Sequence, residues 1–275
     1  MLAAHTAPVA LVVTTYEWPE ALDLVLESAL RQSVMPAELL VADDGSGAET
    51  AAVIHQHVPR FAERGVALTH VWHEDLGFRA AAIRNRAIAA ASAPYVLLVD
   101  GDCVLHVDFV RSHLAFARPG HFVQGTRVLI GREASRRALY ARRTRWGPFD
   151  AGIRNRMNAL SLPWLSPLVP SPSDPLRGVR SANMGVWRSD VIRVNGFDER
   201  FVGWGREDSD FVVRLTNAGV RRRKLKFGGI VYHLWHDEQP RDALVANDRL
   251  LAEIRASGAR WCERGIAQYL ADRDG

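Results

Sequence analysis

Three carboxylates stand close together late in the sequence, where a helix is predicted to begin. Glu207, Asp208 and Asp210 follow Trp204, an indole between two glycines. One interpretation of the acids is purely structural. Acidic side chains stabilise the first turn of a helix because they complement the positive end of its dipole. The glycines allow a ligand close to the backbone, and the indole offers a flat face on which a ring can stack. The functional interpretation is that Glu207 and Asp208 are catalytic while Asp210 caps the helix, and these residues alone do not decide between the two interpretations.

The spacing of these acids from the next apolar residues predicts which of them faces inward. Asp208 lies three and four residues before Phe211 and Val212, so it shares their face, whereas Glu207 is offset from it. The dipole at a helix N-terminus keeps a carboxylate ionised, as a general base must be. Asp208 is therefore the predicted base.

A second acidic pair follows an apolar run, in the stretch "YVLLVDGD". Asp100 and Asp102 are two residues apart, and in a turn they can hold one hard divalent cation between protein and phosphate. An Asp-Gly turn without a ligand is the alternative. His233 and His236 offer imidazoles, and mixed ligation of this kind suits Mn²⁺. Because strand residues three apart face opposite sides, both histidines can bind one ion only if the strand has ended. Which of the two binds metal is left open.

Alternating strand and helix patterns must position these residues. Apolar runs with β-branched residues predict strands at residues 8–15, 66–72 and 94–102, and a strand followed by a turn within residues 37–46. Helical stripes between them predict helices at about 19–33 and 79–92. This alternation predicts an α/β fold with a parallel sheet and right-handed crossovers, in which ligands bind beyond the carboxyl ends of the strands.

Polar side chains gather at those predicted strand ends. Asp43 and Asp44 lie in an Asx-type turn, where they can accept from a base imide or a ribose hydroxyl. Arginines near the start of the second helix can bind phosphate in a planar fork, although a solvated helical face explains Arg84 equally well. No G-x-G-x-x-G and no P-loop occurs, so neither a dinucleotide nor an ATP γ-phosphate is the expected ligand. The predicted ligand contacts from this region are Thr14, Tyr16, Asp43, Asp44, Arg79, Asn85 and Asp100.

Composition limits the class of protein. The 275 residues, 48% of them hydrophobic, can form one large α/β domain or two small ones. Two cysteines are too few for a disulfide framework, no apolar run reaches the length of a membrane span, and the first residues lack a signal peptide's basic region. These features predict a cytoplasmic protein.

An arginine-rich segment lies between the two groups of acids. Residues 127–156 hold nine arginines against two acids, and a stretch rich in proline and serine follows them. We predict a long loop or a short amphipathic helix here, with Trp146, Trp164 and Leu165 adding apolar surface. Nucleic acid is not expected, because the segment lacks the interleaved aromatic residues of a stacking platform. An anionic membrane surface or an anionic glycan is the predicted partner.

Taken together, these stretches resemble a known family. Residues 12–46, 77–88 and 97–105 resemble the nucleotide-binding region of family 2 glycosyltransferases, which have the GT-A fold. Residues 180–215, with the stretch "VYHLWH", resemble the carboxyl-terminal region of β-1,4-galactosyltransferases and their bacterial relatives. The resemblance covers most of the chain except about residues 132–177. One departure is the first loop, where Glu17–Trp18–Pro19 stands in place of the Asn-Arg that often precedes the proline.

The resemblance implies a GT-A (Rossmann-like), mostly parallel sheet flanked by helices. Residues 1–126 would form the nucleotide-sugar-binding half, and residues 127–275 the acceptor-binding, catalytic half of one continuous domain, with an insert at about 132–177. It implies a UDP-sugar donor with Mn²⁺ or Mg²⁺. Asp43 or Asp44 would hold uracil or ribose, and Arg79 the diphosphate region. Asp102 would be the main metal ligand, with Asp100, His236 and His233 around the ion.

The resemblance also implies the reaction. Trp204 would form the floor of the sugar site, with Asp208 as base and Glu207 as acceptor contact. A leaving nucleoside diphosphate needs a cation to stabilise its charge, and an acceptor hydroxyl needs a carboxylate to take its proton. With the cation and the carboxylate at opposite ends of the site, the hydroxyl would attack from the side opposite the leaving group. The transfer would therefore invert the anomeric centre. The acceptor would be a glycan or a lipid-linked saccharide of the lipopolysaccharide or exopolysaccharide type.

Two other classes are compatible with part of the pattern. A nucleotidyltransferase acting on sugar phosphates also uses a parallel sheet and paired carboxylates, but the glycine-rich loop typical of that class is missing after the first predicted strand. A non-enzymatic protein that binds anionic lipid or glycan would need only the arginine-rich segment. Hydrolysis of a UDP-sugar that requires Mn²⁺ distinguishes the transferase from both.

Overall fold

Strands and helices alternate through the first part of the chain, as the sequence predicts. In the computed structural model, which describes residues 7–237 and 240–270, Pro19 opens the first helix, where its fixed φ and missing N–H cost nothing. Met1–Thr6, which belong to the stretch examined for a signal peptide, lie outside the described residues. The elements are β1 (Val9–Thr15), α1 (Pro19–Leu30), β2 (Glu38–Asp43), α2 (Ala48–Ala62), β3 (Ala67–Trp72), α3 (Ala80–Ala90) and β4 (Tyr95–Asp100).

Shorter elements make up the rest of the chain. They are β5 (Cys103–Leu105), α4 (Phe109–Phe116), β6 (His121–Gln124), β7 (Thr126–Ile130), α5 (Arg132–Ala141), β8 (Ile153–Arg154), β9 (Asn183–Trp187), α6 (Arg188–Arg193), α7 (Glu207–Asn217), β10 (Arg221–Lys224), β11 (Ile230–His233), α8 (Leu244–Ser257) and α9 (Ala267–Leu270). Two turns of 3₁₀ helix, Arg156–Ala159 and Pro163–Leu168, lie between β8 and β9.

A seven-stranded sheet in the order β10-β6-β9-β4-β1-β2-β3 organises the molecule. Only β9 runs against its neighbours β4 and β6, so the predicted, mostly parallel sheet is confirmed. Register brings the strand ends together, with Thr14 beside Asp100 and Thr15 beside Asp43. The two strands from after residue 126, β9 and β10, lie on either side of β6 in this sheet, and the division of the chain at that residue stays a prediction.

A second sheet, β5-β11-β7-β8, stands next to the end of β4. β11 pairs antiparallel with β5, which places His233 opposite Cys103. This pairing brings the late histidines to the acidic turn after β4, a relation that no local pattern encodes.

Apolar layers cover both faces of the large sheet. Leu11 and Val13 of β1 pack in the cluster that includes Leu22 of α1 and Phe61 of α2. Val12, which points to the other face, packs in the cluster that includes Ile83 of α3 and Phe211 of α7. Burial on both faces explains why the strands read as continuous apolar runs. Helix α7 is thereby fixed against α3, with its first turn near the carboxyl end of β4.

The start of α7 differs from the prediction in one respect. The residue before the helix is Arg206, with a left-handed φ of 78°, and no side chain caps the first turn. Asp210 does not cap it, because its carboxylate is fully buried and accepts from Arg214 Nε at 3.0–3.1 Å. Arg214 also donates to the carbonyl oxygen of Gly196 at 2.8 Å. The pair therefore ties α7 to the segment before it.

The arginine-rich insert is part helix and part irregular chain, in line with the prediction of a loop or an amphipathic helix. Helix α5 buries Ala134 and Ala138 and exposes its arginines. Trp146 was expected on the surface, but it is buried against the ring of Tyr232 at a centroid distance of 4.9 Å. Leu165 is half-buried, and Trp164 is exposed as expected. Among the described residues, no helix combines the length and the apolar character needed to cross a membrane.

The buried Asp210–Arg214 pair predicts a large effect on stability. Asp210→Asn leaves the guanidinium of Arg214, which is 1% exposed, without its counter-charge, and should lower the free energy of unfolding by about 3–5 kcal/mol. Urea unfolding measures this loss. Glu133→Gln, which removes an exposed ion pair to Arg136, is the matched control and should cost less than about 1 kcal/mol. Equal losses in the two variants would contradict the prediction.

Candidate active site

A single guanidinium joins the strand ends to the start of α7. Arg84, on α3, has a side chain only 5% exposed and lies 3.2 Å from Asp100 Oδ1 and 3.3 Å from Glu207 Oε1. Its Nε donates to Thr14 Oγ1 at 3.3 Å, and Asp208 Oδ1 is 3.8 Å away. Burial alone would lower the pKa of Arg84, but the three carboxylates outweigh burial and raise that pKa. The site therefore has a permanent cation at its centre.

Glu207 and Asp208 both face this cation. The backbone N–H of Ser181 donates to Asp208 Oδ2 at 2.9 Å, whereas Asp208 Oδ1 is buried without a hydrogen bond among the described residues. The side chain of Glu207 is 12% exposed and that of Asp208 is 22% exposed. The expectation that Asp208 is the more inward of the two is therefore wrong, because the buried guanidinium of Arg84 reaches both acids and lies closer to Glu207.

The environment of Glu207 raises its pKa. Burial disfavours the ionised form, the charge on Asp208 adds to this effect, and Arg84 only partly opposes it, so the pKa of Glu207 rises to about 7. Glu207 therefore binds a proton more tightly than an exposed carboxyl group does.

Asp102 and the two histidines meet at the other end of the site. The Oδ2 atom of Asp102 is 3.4 Å from His233 Nε2 and 3.2 Å from His236 Nε2. Strand β11 ends at His233, so the condition under which both histidines could serve one ion is met. Burial would raise the pKa of Asp102, but the two histidines outweigh burial and lower it to about 2. The hydrogen bond to Asp102 raises the pKa of His236 to about 9.

The donor atoms near Asp102 include one that sequence reasoning missed. Ligand atoms of Asp102, Cys103 and His233 lie within 4.8 Å of one another, as in a site that could hold a metal ion. Cys103 is adjacent to the acidic turn in sequence, and that adjacency is the only local signal for it. Asp100, expected near the same ion, is instead hydrogen-bonded to Arg84.

The two aspartates after β2 are partnered inside the protein. Asp43 accepts from the Ser46 N–H at 2.8 Å and lies 2.9 Å from His70 Nε2. Asp44 lies 2.6 Å from His73 Nε2 and accepts from the Arg79 N–H at 2.8 Å. Both carboxylates are buried, so a uracil or ribose would share an oxygen that already has a partner. His73 is one of the polar residues that the sequence places at the strand ends, whereas His70 is absent from that set and its role appears only once β3 pairs with β2.

Three other predicted contacts lie around the same edge. Thr14 reaches Arg84, as described above, while the side chain of Arg79 donates to the carbonyl oxygen of Glu74. The hydroxyl of Tyr16, a residue 45% exposed, donates to Asp75 Oδ2 at 3.0 Å. Their contacts to a donor molecule stay predictions.

Asn85, also expected to contact the donor, has a different role. Its side chain is fully buried; it donates to Phe197 O and Glu199 Oε1 at 2.8 and 2.9 Å, and it accepts from the Phe197 N–H at 2.8 Å. With its amide used in this way, Asn85 connects α3 to the segment before α7 and does not face the cleft.

Trp204 sits on a loop shaped by its neighbouring glycines. Gly203 and Gly205 have φ values of 76° and 106°, which favour glycine. The Gly203 N–H donates to Phe78 O at 3.1 Å, and Asn247 Nδ2 of α8 donates to Gly205 O at 2.9 Å. The indole is 38% exposed, with the guanidinium of Arg241 5.3 Å from the ring centre. The loop therefore holds an aromatic face at the edge of the site.

The first loop, where the sequence departs from the family pattern, supports both ends of the site. Glu17 Oε1 accepts from the Gly47 N–H at 2.6 Å, next to the turn that carries Asp43. The ring of Trp18 stands edge-on to that of His236 at a centroid distance of 6.1 Å.

Comparison with protein families agrees with this arrangement. The model of glycosyl transferase family 2 matches residues 10–171, which carry Arg84 and the acidic turn. This chain belongs to glycosyl transferase family 2. A second match, described as the N-terminal domain of galactosyltransferase, covers residues 169–237, which carry Trp204, the acids of α7 and the two histidines. Both parts of the predicted resemblance are confirmed.

Similar individual proteins are longer than this chain. The validoxylamine A glucosyltransferase of Streptomyces hygroscopicus subsp. limoneus is 28% identical over 246 residues, which are 79% of this chain and 49% of that protein. The chondroitin synthase of Pasteurella multocida (strain Pm70) is 24% identical over 244 residues, covering 81% and 24% respectively. The chain thus spans about half the length of the first of these relatives and about a quarter of the second.

Solved structures confirm the GT-A fold. S. aureus TarS 1-349 in complex with UDP has a TM-score of 0.60 and 17% identity, over 96% of this chain and 70% of that one. The mannosyltransferase PcManGT from Pyrobaculum calidifontis, in complex with GDP-Man and Mn²⁺, has a TM-score of 0.55 and 15% identity, over 92% and 73%.

The raised pKa of Glu207 predicts a pH-dependent stability. It rises from the ordinary value of 4.5 to about 7, so the stabilisation it contributes is fully present below about pH 4.5 and is lost as the pH rises through 7. This loss amounts to a change on the order of 2 kcal/mol in the free energy of unfolding of the wild type as the pH rises. Glu207→Gln should remove this pH dependence. Urea unfolding at several pH values measures it, with Glu133→Gln as an exposed control. Wild-type and Glu207→Gln curves that run parallel would contradict it.

Proposed function

We propose that this chain is an inverting glycosyltransferase that moves a sugar from a UDP-sugar to a hydroxyl group of a glycan or lipid-linked acceptor. The observation that carries the proposal is the carboxylate of Asp208. One of its oxygens is held by the Ser181 N–H, and the other is buried and makes no hydrogen bond to any residue that the structure describes. A buried polar atom without a partner is costly, so this oxygen is available for the proton of an acceptor hydroxyl.

The donor assignment rests on the strand ends and on the structural neighbours. Polar groups of β1, β2 and β4 converge at the carboxyl edge of the sheet, where parallel α/β folds bind ligands. One neighbour is in complex with UDP and another with GDP-Man and Mn²⁺, which supports a nucleotide-linked sugar. We assign UDP from the family resemblance of the first half.

The residues after β4 suit a divalent cation. The Nε2 atoms of His233 and His236 lie 3.4 and 3.2 Å from Asp102 Oδ2, and carboxylate with imidazole is a donor set that suits Mn²⁺. A bound cation would offset the charge that develops on the leaving diphosphate. The acids at the start of α7 then serve the acceptor, and Trp204 forms the floor of the sugar site.

The acceptor hydroxyl and the leaving group lie at opposite ends of this arrangement. Asp208 takes the hydroxyl proton, and the guanidinium of Arg84 lies 3.8 Å from its Oδ1. Attack from the side opposite the diphosphate inverts the anomeric carbon. Glu207, bound to the same guanidinium, contacts the acceptor.

Substitution of the two acids tests the division of roles. Asp208→Asn should leave UDP binding near normal and lower turnover by roughly 10² or more, the usual scale for loss of a general base. Glu207→Gln should also lower transfer, with a larger share of the effect in the acceptor KM. Steady-state kinetics with calorimetry of UDP binding measure both. If Asp208→Asn kept near-normal turnover and Glu207→Gln abolished it with UDP binding intact, the roles would be reversed.

Chelation tests the metal assignment. We expect excess EDTA to abolish transfer or slow hydrolysis of a UDP-sugar, and Mn²⁺ to restore it. Asp102→Ala should lose activity while the fold stays largely intact, because Asp102 lies in the turn beyond β4. Full activity in excess EDTA would refute the assignment.

The arginine-rich insert supports a lipid-linked acceptor on an anionic membrane surface. Its exposed apolar side chains include Tyr140, Phe149 and Trp164, which are 94%, 95% and 67% exposed, and nine arginines lie in residues 127–156. Basic residues near an anionic membrane contribute about 1 kcal/mol each, and aromatic residues insert at the interface.

Liposome flotation tests this surface. Anionic vesicles should recover more protein than neutral vesicles at low salt, and added salt should weaken recovery because it screens exposed charges. The double variant Phe149→Ser, Trp164→Ser should float several-fold less. Trp261→Ser, which changes an indole 53% exposed outside the insert, is the control. Equal recovery on the two kinds of vesicle would favour a soluble acceptor.

A further inference from the structure

Strand β10 lies at the edge of the large sheet and carries a run of positive charges. It consists of Arg221–Lys224, and Lys226 follows two residues later. Arg221 is exposed, and the other four cations are half-buried. In the part of the chain that the structure describes, none of the five forms an ion pair with a carboxylate. Arg222 donates instead to the carbonyl oxygen of Arg177 at 2.7 Å, which leaves its charge uncompensated.

The arginines of the insert are compensated to a greater extent. Charge that already has a carboxylate nearby attracts an external anion less strongly. Strand β10 therefore offers more uncompensated charge, in a shorter stretch of chain, than the insert does. Three of the nine arginines in residues 127–156 form ion pairs, namely Arg136 with Glu133, Arg142 with Asp23 and Arg143 with Asp150.

Charged side chains on an edge strand also have a structural explanation, because they prevent pairing with another chain. The free edge of β10, however, is already covered in part by Ser171. The Ser171 hydroxyl donates to the carbonyl oxygen of Arg222 at 3.2 Å and accepts from the Lys224 N–H at 3.1 Å. Lys226 lies beyond the strand, where no edge has to be protected. Protection from pairing therefore explains only part of the charge.

A turn of 3₁₀ helix, Pro163–Leu168, packs against the chain directly after β10. The Leu162 N–H donates to the carbonyl oxygen of Phe227 at 2.8 Å. The hydroxyl of Ser166, a residue only 1% exposed, donates to the carbonyl oxygen of Lys226. These bonds fix the turn beside the last cation of the run.

Three apolar side chains are exposed around Lys226. Trp164 and Leu168 of the turn are 67% and 76% exposed, and Met157 is 61% exposed. Met157 belongs to the same surface because its neighbour Asn158 accepts from Lys226 Nζ. Exposed apolar side chains that gather at one place mark a site of contact with another molecule. In this protein they stand among cations.

The basic strand ends on the side of the sheet where the proposed base lies. Strand β10 runs parallel to β6, and both run in the same direction as β4. Lys224 pairs with Gln124, whose side chain accepts from the Arg180 N–H at 3.2 Å. The next residue, Ser181, donates its N–H to Asp208. A molecule bound at β10 would therefore lie near the acceptor end of the cleft.

We propose that Arg221–Lys224 and Lys226, together with Met157, Trp164 and Leu168, form a docking surface for an anionic lipid bilayer, called the β10 surface below. The cations bind the anionic headgroups, and the apolar side chains enter the interface. A soluble polyanion would match the charges but leave the apolar side chains in water. Docking itself does not depend on the proposed function, whereas its use in bringing a lipid-linked acceptor to the base rests on that function.

Vesicle partitioning of matched variants tests the β10 surface. Arg221→Glu and Lys224→Glu, made separately, each reverse one charge at an end of β10. Arg64→Glu makes the same change at an exposed arginine just before β3, the strand at the opposite edge of the sheet, and is the control. Partitioning into vesicles of phosphatidylcholine is compared with partitioning into equimolar phosphatidylcholine and phosphatidylglycerol. Urea unfolding checks that each variant is folded.

Charge and apolar contact should contribute separately. Both β10 variants should partition into the anionic vesicles on the order of tenfold more weakly than the wild type, because each loses a cation and gains an anion. Arg64→Glu should change partitioning only slightly, since salt screens charges that do not face the bilayer. The double variant Met157→Ser, Leu168→Ser should weaken partitioning several-fold at high and at low salt, because it removes apolar contact and no charge.

Equal partitioning of the wild type, Arg64→Glu and the two β10 variants would overturn the β10 surface. A loss of binding by the β10 variants that is seen with dextran sulfate, a soluble polyanion, and not with vesicles would also overturn it, because the bilayer would then not be the partner. These measurements need neither donor nor metal. A protein that docks through β10 but transfers no sugar from a UDP-sugar would refute the proposed function and leave the surface in place. A protein that transfers sugar while all variants partition equally would do the reverse.

Discussion

The buried charge of Arg84 is the constraint on which the site depends. A guanidinium that is 5% exposed can stay inside the protein only with its charge compensated, because burial of an unpaired charge costs several kcal/mol. Its compensation comes from Asp100 at the end of β4 and from Glu207 and Asp208 at the start of α7. The same contacts keep three acidic groups close together, which their mutual repulsion would otherwise oppose. Arg84 thereby holds the donor edge of the sheet and the acidic turn of α7 in one site.

Helix α3 makes this connection because two consecutive residues of the helix contact different parts of the molecule. Arg84 faces the cleft, whereas Asn85 is bound to Phe197 and Glu199 in the segment that leads to the Trp204 loop. The loop in turn is held by Phe78, just before α3, and by Asn247 of α8. Under the proposed mechanism, the rate depends on how base and leaving group are positioned relative to each other. Helix α3, with its small alanine face packed on the sheet, is the element that would set this geometry.

Charges are distributed on both sides of the cleft in a way that suits a substrate with a negative leaving group. Histidines surround Asp102 at one end, and Arg84 neutralises the acids at the other. The second sheet makes this possible, since β11 pairs with β5 and brings His233 beside the turn after β4. The apolar and basic insert lies outside this centre, and part of it, Trp146, belongs to the core through Tyr232.

The sequence by itself determined the α/β order of elements, the parallel sheet and the groups of acids and histidines, because these depend on periodicity and on short motifs. The tertiary structure decided which of them meet. Asn85 was a predicted ligand contact and its neighbour Arg84 was explained equally well by a solvated face, yet Arg84 faces the cleft and Asn85 a buried loop. Asp210, three residues after Glu207, turned out to pair with Arg214 and not to cap α7. Such differences depend on which face of a helix packs against a distant segment. Side-chain direction across long sequence separations is set by packing, and no local pattern records it.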